Sequence, residues 1–433
     1  MIDDAKKKLA KNTIYLYALT FSSQLISLLT IPYQTRVLSP DIYGIVSLFI
    51  GVMVVVSLVI NFGFLYSATE DVALSAADRG ALCSIYSAVF CAKGLLALLL
   101  AVPIFAAAVF VDVIRSNASL FCLYYLSYVF GALLPDYLYR GLELMKAITI
   151  RTVAIRLFSA VLIFVFLKSP QDVLILPMSL LLGNLGALVA CFQYDRKILD
   201  IKFCRISAQD IFKTLKRGLP FFVSRIASTV YQTGNVIVVG LLYPGQSQVG
   251  WYSASDKVLT VVKQVSAPVA DSIYPYMIKK RDYRLSIKVM LAAVPLILLG
   301  CGLLFLYAEP VCAFAFGEDY AASGNVLRCL LPAMAVIFPT YIICFPVLVP
   351  MGLSKQANTS NVVGMVSQIL FLVVLFVAGH LNVYTVCLSA SASEVLVFLY
   401  RLGTMIRYRD RMKAASGVTS ENRDGLGESS SLV

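Results

Sequence analysis

The chain has 433 residues, of which 59% are hydrophobic and 14% are charged, and its formal net charge at pH 7 is +12. A soluble domain carries about 25% charged residues, so the composition excludes an ordinary soluble protein and indicates a polytopic membrane protein. The single histidine, His380, argues against a histidine-based metal site or catalytic triad, and the ten cysteines lie singly without metal-type spacing. We therefore expect no metal ion, no cofactor and no catalytic residue.

Apolar stretches long enough to cross a bilayer as helices recur along the chain and predict an all-α fold with about twelve transmembrane helices. The predicted spans lie near residues 12–35, 42–66, 82–111, 118–139, 150–167, 172–194, 217–243, 250–275, 287–307, 325–350, 359–379 and 382–405. The segment after Lys413 is rich in Ser, Gly and Glu, which predicts a disordered tail at 414–433.

Basic residues fix the predicted orientation, because Lys and Arg concentrate in the cytoplasmic loops of membrane proteins. With the N-terminus inside, most of the 36 Lys and Arg residues fall on the cytoplasmic side, and outer loops hold only Arg36, Arg115 and Lys168. The sequence therefore predicts that both termini are cytoplasmic. Since this positive charge serves to anchor topology, it does not indicate a nucleic-acid partner.

The two halves of the chain resemble each other. The separation between Lys11 and Gly44 in the first half equals that between Arg217 and Gly250 in the second. Parallel repeats of this kind occur in transporters, which often bind their cargo where the repeats meet, although two polytopic halves can also align by chance. We predict an N-terminal six-helix lobe with its following loop at 1–205, a C-terminal six-helix lobe at 206–413, and a central cavity.

Ionisable side chains inside the predicted spans are the candidate functional residues, because such groups are costly in a bilayer and usually face a cavity or a partner. The cations predicted to line a substrate-binding cavity are Arg225, Lys257, Lys263 and Lys93. The acids predicted either to couple an ion or to pair with these cations are Asp256, Asp271 and Glu394. An excess of cations suits an anionic cargo, whereas mutual ion pairing is the structural alternative.

Prolines punctuate the tenth predicted span at Pro332, Pro339 and Pro346. Each removes a helix hydrogen bond and tends to kink the helix, which suits a gate or hinge. Prolines are also common in membrane helices generally, so simple packing remains the alternative interpretation.

Three sequence motifs resemble those of a known family. They are YLY…IPYQTRVLSPDIYGIVSL at 15–48, GWYSASDKV at 250–258 and FGEDY at 316–320. Together with twelve spans in two sets of six, they resemble the bacterial lipid-linked oligosaccharide flippases, which are O-antigen or Wzx-type polysaccharide biosynthesis proteins of the superfamily that includes the multidrug-extruding MATE transporters.

The resemblance implies a flippase of the bacterial inner membrane that moves undecaprenyl-pyrophosphate-linked oligosaccharide repeat units by alternating access, for O-antigen or a related surface polysaccharide such as that of lipopolysaccharide. It implies the lipid-linked oligosaccharide and the bilayer as partners, together with polymerase and ligase machinery. A cation-coupled multidrug exporter of the same architecture is the alternative, and a membrane glycan polymerase is disfavoured by the short outer loops. We therefore expect a transporter that is not an enzyme.

Overall fold

The computed structural model describes residues 21–409, and within them the regular structure is helical, with no β-strand. The contact pattern divides the chain into two compact units after Ser247. The helices of the first unit are α1 (21–37), α2 (Pro40–Asn61), α3 (Phe64–Leu74), α4 (Arg79–Phe110), α5 (Asp112–Ser116), α6 (Ala118–Leu133), α7 (Asp136–Gly141), α8 (Met145–Phe166), α9 (Ile175–Lys197) and α10 (Ala208–Leu242). Those of the second are α11 (Ser247–Lys280), α12 (Tyr283–Leu306), α13 (Ala308–Phe316), α14 (Ser323–Ile342), α15 (Ser354–Val377) and α16 (Val383–Arg407).

These helices confirm the predicted all-α membrane fold. Among residues 21–409, nine helical segments are long and apolar enough to cross a membrane. The three other predicted spans correspond to α1, to α10 and to α11. The predicted span at 12–35 begins outside the described residues, and α10 and α11 carry more charge. The predicted tail at 414–433 also lies outside the described residues.

Two predicted spans of the first unit are each broken into two helices. Leu134 adopts an extended conformation, with φ −57° and ψ 138°, between α6 and α7, because a following proline disfavours the helical region. Pro135 also lacks the N–H that would continue the helix. Between α2 and α3, Phe62 and Gly63 both have positive φ, of 38° and 76°, so the chain turns there before helix resumes.

Helix α10 packs on α2, α3 and α4 and so belongs to the first compact unit. The close approach of α10 to the turn between α2 and α3 depends on two glycines. A Cβ on Gly63 would lie 2.6 Å from the carbonyl oxygen of Gly218, and a Cβ on Gly218 would lie 2.6 Å from that of Phe62. The predicted boundary between the two lobes, at 205/206, comes from the sequence repeat and not from contacts between helices. It stays a prediction.

The first unit has a core of apolar and tyrosine side chains supplied by α3, α4, α7, α8 and α9, including the fully buried Phe64, Val72 and Leu138. In the second unit, α14 packs on α12 and α16, and α16 packs on α15. There the segment Ile343–Leu348 continues α14 as a π-helix. Its side chains pack around Met277 of α11.

Candidate functional site: a polar cavity within the first unit

A cavity of about 280 Å³ lies among α2, α4, α6, α7 and α10 of the first unit. Its polar lining consists of Ser57, Asn61, Lys93, Tyr128, Asp136, Tyr137, Arg225 and Thr229. Lys93 and Arg225 lie near the middle of α4 and α10, respectively, where a charge is costly unless it is solvated or partnered. The predicted cations Lys93 and Arg225 therefore line one polar space inside an apolar helical unit.

Lys93 is held in place by the break between α6 and α7. The side chain is 3% exposed, and its Nζ donates to the carbonyl oxygens of Ala132, at 2.6 Å, and Leu134, at 3.4 Å. These carbonyls can accept from a side chain because the helix is interrupted at Pro135. The Nζ also lies 5.4 Å from the centre of the Tyr137 ring, in the range of a cation–π interaction. The break thus holds the amino group of Lys93 at the cavity wall.

Arg225 is oriented by aromatic contacts between α3 and α10. Its guanidinium lies 5.8 Å from the centre of the Tyr66 ring, and Tyr66 stacks on Phe221 with ring centroids 5.9 Å apart. Eight residues before Arg225 in α10, Arg217 forms an ion pair with Asp71 of α3. These contacts fix α10 against α3 and direct Arg225 to the cavity.

Asp136 is the acid of the cavity lining, and it is already paired. It forms an ion pair with Arg151 of α8, whose side chain is 10% exposed whereas that of Asp136 is 38% exposed. Asp136 is thus partnered by Arg151 on α8, while two cationic side chains, Lys93 and Arg225, line the cavity. A space with two cations and several hydroxyl and amide groups can bind a phosphate or other anion by charge-assisted hydrogen bonds.

The second unit brings other predicted residues together. The Nζ of Lys263 on α11 donates to Oε1 of Glu394 on α16 at 2.8 Å, and the two side chains are 28% and 12% exposed. Asp256 and Lys257 are half-buried on the same helix as Lys263, whereas Asp271 is exposed. Lys263 and Glu394 thus form an ion pair between helices, which is the alternative to cargo binding that the sequence analysis gives for these charges.

The three prolines predicted to act as a gate lie on one continuous helical path. Pro332 and Pro339 are inside α14, and Pro346 lies in the π-helical segment that follows. Short π-helical segments often occur at functional sites. The gating role of these prolines stays a prediction.

Comparison with known proteins identifies the family. Residues 9–281 match the family model described as "Polysaccharide biosynthesis protein". The chain belongs to the polysaccharide biosynthesis protein family. A relative from Shigella dysenteriae, named "Putative O-antigen transporter", is 26% identical over 401 residues, which cover 90% of this chain and 98% of the relative. A protein of the same name from Escherichia coli K12 is 27% identical over 270 residues, or 62% of this chain and 65% of the relative.

Solved structures confirm the fold of this family member. The inward closed conformation of the lipid II flippase MurJ has a TM-score of 0.65 at 14% identity and covers 94% of this chain and 90% of its own. An inward-facing multidrug resistance MATE transporter of the MOP superfamily has a TM-score of 0.64 at 14% identity, with coverage of 94% and 99%. These structures therefore confirm the predicted all-α transporter fold. The relatives are named as transporters and flippases rather than enzymes, as expected for this polysaccharide biosynthesis protein.

Three charged residues of this family member were missed as site residues. Asp136 and Arg151 are not among the predicted site residues, although Asp136 lines the polar cavity and Arg151 is its ion-pair partner. The motif Leu134-Pro135-Asp136 is the signal that could have revealed the helix break and its exposed carbonyls. Arg401 is also absent from the predicted site residues, yet it is 6% exposed and donates to Ser360 Oγ at 2.8 Å and to Asn361 Oδ1 at 2.8 Å.

Proposed function

We propose that this polysaccharide biosynthesis protein is a flippase that translocates undecaprenyl-pyrophosphate-linked oligosaccharide repeat units across the bacterial inner membrane for O-antigen or a related surface polysaccharide. The observation that carries the proposal is the cavity containing Lys93 and Arg225 inside an apolar helical unit. The names of the O-antigen transporter relatives point to the same cargo.

A cargo with a polar head needs a polar space within the membrane, which the cavity offers. A pyrophosphate and sugar head cannot cross hydrocarbon unaided, because its polar groups would lose their hydrogen bonds to water. Arg225 and Lys93 offer N–H donors and positive charge to the phosphates, while Asn61, Ser57 and Tyr128 offer polar groups to a neighbouring sugar. At about 280 Å³, the space lies near the lower limit of small-molecule sites, about 300 Å³, so it suits the phosphate-proximal part of the cargo.

In the second unit, Lys257 and Lys263 are proposed to screen the cargo's negative charge. The Lys263–Glu394 pair supports a switching role for Lys263, because a phosphate could replace the carboxylate as its partner. Asp256, Asp271 and Glu394 are proposed to take up a coupling ion. Pro332, Pro339 and Pro346 are proposed to let the helical path from α14 bend as access alternates.

The proposal includes the orientation and the division into lobes that the sequence predicts. Both termini are cytoplasmic, and two six-helix lobes, 1–205 and 206–413, alternate the access to a central cavity. A polysaccharide polymerase and a ligase act on the flipped product as partners of the same pathway.

Complementation tests this function directly. The gene for this protein is expressed in strains that each lack one defined O-antigen flippase, and the surface glycan is analysed. Restoration of a glycan in at least one strain is expected. If no strain regains its glycan while the protein is present in the inner membrane, and the cells instead gain resistance to organic cations, the exporter alternative replaces the proposal.

A further inference from the structure

A second cavity of the first unit has a different chemistry. It is a groove of about 590 Å³ between α8 and α9. Its lining on α8 extends from Ala147 to Phe158 and on α9 from Leu182 to Tyr194. At about 1.5 Å of rise per helical residue, each wall is about 16–18 Å long, which is close to half of a hydrocarbon core about 30 Å thick.

Small residues on α9 create this groove. Gly183 allows α8 to approach, because a Cβ there would lie 3.0 Å from Cγ2 of Ile155, whereas a Cβ on Gly186 would meet nothing within 4 Å. Gly186 is therefore not needed for packing between helices of this unit. It leaves open space along the groove instead.

One end of the groove is charged. Arg151 lines the groove at the N-terminal part of α8, and its ion-pair partner, Asp136, lines the polar cavity. The Nε of Arg151 is buried and has no hydrogen-bond partner among the described residues. Within residues 21–409, the Nη1 of Arg151 has only the weak acceptor Sγ of Cys191, at 3.8 Å. Because a guanidinium has five N–H donors, Arg151 keeps unused capacity for an anion.

We propose that the α8–α9 groove holds the polyprenyl chain of the carrier lipid, with Arg151 beside the lipid's phosphate. This inference rests on the proposed function, since it assigns the lipid part of the same cargo to a surface outside the polar cavity. The Asp136–Arg151 pair joins the groove to that cavity, so a single cargo molecule can place its tail in one and its pyrophosphate near the other. The predicted orientation puts the charged end of the groove at the cytoplasmic leaflet, where the cargo is made.

A phospholipid acyl chain is the competing occupant. It also has an apolar tail and a phosphate, but nothing in its function takes its head group into the polar cavity. The continuity through Asp136 and Arg151 therefore favours the carrier lipid. Photochemical labelling separates the two occupants.

The experiment uses the full-length protein in nanodiscs of phosphatidylethanolamine and phosphatidylglycerol that contain a small fraction of undecaprenyl phosphate. A photoreactive benzoylphenylalanine replaces Phe158, which lines the groove and is 44% exposed. A second sample carries it at Phe305 of α12, an exposed position outside the groove. Mass spectrometry of the adducts then gives the lipid composition at each position.

We expect undecaprenyl phosphate to be enriched at Phe158 relative to Phe305. Gly186→Leu, which fills the groove, should lower that enrichment about tenfold, the effect of about 1.4 kcal/mol of binding. The matched control is Gly302→Leu on α12, where a Cβ also meets nothing within 4 Å, and it should have no effect. Arg151→Gln should lower the enrichment as well, and if that variant fails to accumulate, Gly186→Leu decides.

Adducts at Phe158 with the same lipid composition as those at Phe305 would overturn the inference, as would an enrichment that Gly186→Leu leaves unchanged. Surface glycan is measured in parallel in a complemented strain. Glycan production without enrichment of undecaprenyl phosphate at Phe158 contradicts the groove assignment but not the proposed function. Enrichment without any glycan contradicts the proposed function and leaves the groove assignment intact.

Discussion

Asp136 and Arg151 form an ion pair whose two members line different spaces, Asp136 the polar cavity and Arg151 the apolar groove. The pair exists because Pro135 breaks the fourth predicted span and α7 begins with Asp136 directly after it. The same break exposes the carbonyl oxygens that hold Lys93. A single helix interruption therefore organises the charges on this side of the cavity.

The ion pair should make a measurable contribution to stability. Removing one partner of a buried pair costs about 3–5 kcal/mol, and the partial exposure of Asp136 reduces this cost. Arg151→Gln should therefore lower the midpoint of thermal unfolding in detergent. The double variant Asp136→Asn/Arg151→Gln should unfold closer to the wild-type temperature, because no uncompensated charge remains. If the unfolding midpoint of the double variant instead falls by the sum of the decreases in the two single variants, the residues do not act as a pair.

Gly63→Ala should destabilise the protein more than Gly245→Ala. Both glycines have positive φ, of 76° and 70°, but a Cβ on Gly63 would lie 2.6 Å from the Gly218 carbonyl, whereas one on Gly245 meets nothing within 4 Å. Gly245→Ala should therefore cost only the backbone strain, about 1 kcal/mol, while Gly63→Ala must also separate α10 from the turn before α3. Thermal unfolding in detergent measures the difference. Equal shifts for both variants would contradict the proposed close contact.

The Lys263–Glu394 pair allows the two interpretations of Lys263 to be separated. Lys263→Ala should reduce flipping while leaving membrane insertion intact, but loss of the pair could also produce that result. The double variant Lys263→Gln/Glu394→Gln removes both charges and keeps polar groups of similar size. If Lys263 contacts the cargo, the double variant should flip as poorly as Lys263→Ala. Normal surface glycan from the double variant at native expression would show that Lys263 serves only to neutralise Glu394.

The sequence was sufficient to predict the membrane helices, because their length and hydropathy follow from the thickness of the bilayer. It also indicated Lys93 and Arg225 as unusual, since a charge within an apolar span is costly wherever it lies. Each of the twelve predicted spans has a helical counterpart in the structure as far as the described residues extend, and two of them are broken into two helices. Family motifs such as FGEDY supported the same conclusion.

The arrangement of the charges could not be predicted in the same way, because ion pairs join residues on different helices. Lys263 and Glu394 are far apart in sequence, and no local pattern indicates which faces of α11 and α16 meet. The helix that carries Arg151 begins at Met145, five residues before the predicted span at 150–167, because hydropathy alone does not locate a helix start to within a turn. The α6–α7 break was missed for a related reason: a proline within an apolar span predicts a kink but does not indicate which side chain will bind the freed carbonyls.

Replacement of Arg225 tests the role of the polar cavity in cells. Arg225→Gln should lower surface glycan production, because a hydrogen bond to a charged group contributes about 1.5–3 kcal/mol, or about 10- to 100-fold in affinity. Arg225→Lys should be intermediate, since lysine keeps the charge but loses the planar group that lies against Tyr66. The matched control is Arg284→Gln, an exposed cation near the start of α12, which should behave as wild type. Equal output from Arg225→Gln and Arg284→Gln would exclude Arg225 from transport.

Translocation by the purified protein in sealed vesicles tests the proposed flippase activity and the role of Arg225 together. A fluorescent undecaprenyl-pyrophosphate-linked oligosaccharide is incorporated, and a membrane-impermeant quencher or glycosidase reports the fraction that reaches the opposite leaflet. We expect wild-type protein and Arg284→Gln to move the lipid, and Arg225→Gln to move it at least about tenfold more slowly, the rate equivalent of about 1.4 kcal/mol. Vesicles with correctly inserted wild-type protein that translocate no more lipid than protein-free vesicles would contradict the proposed flippase activity.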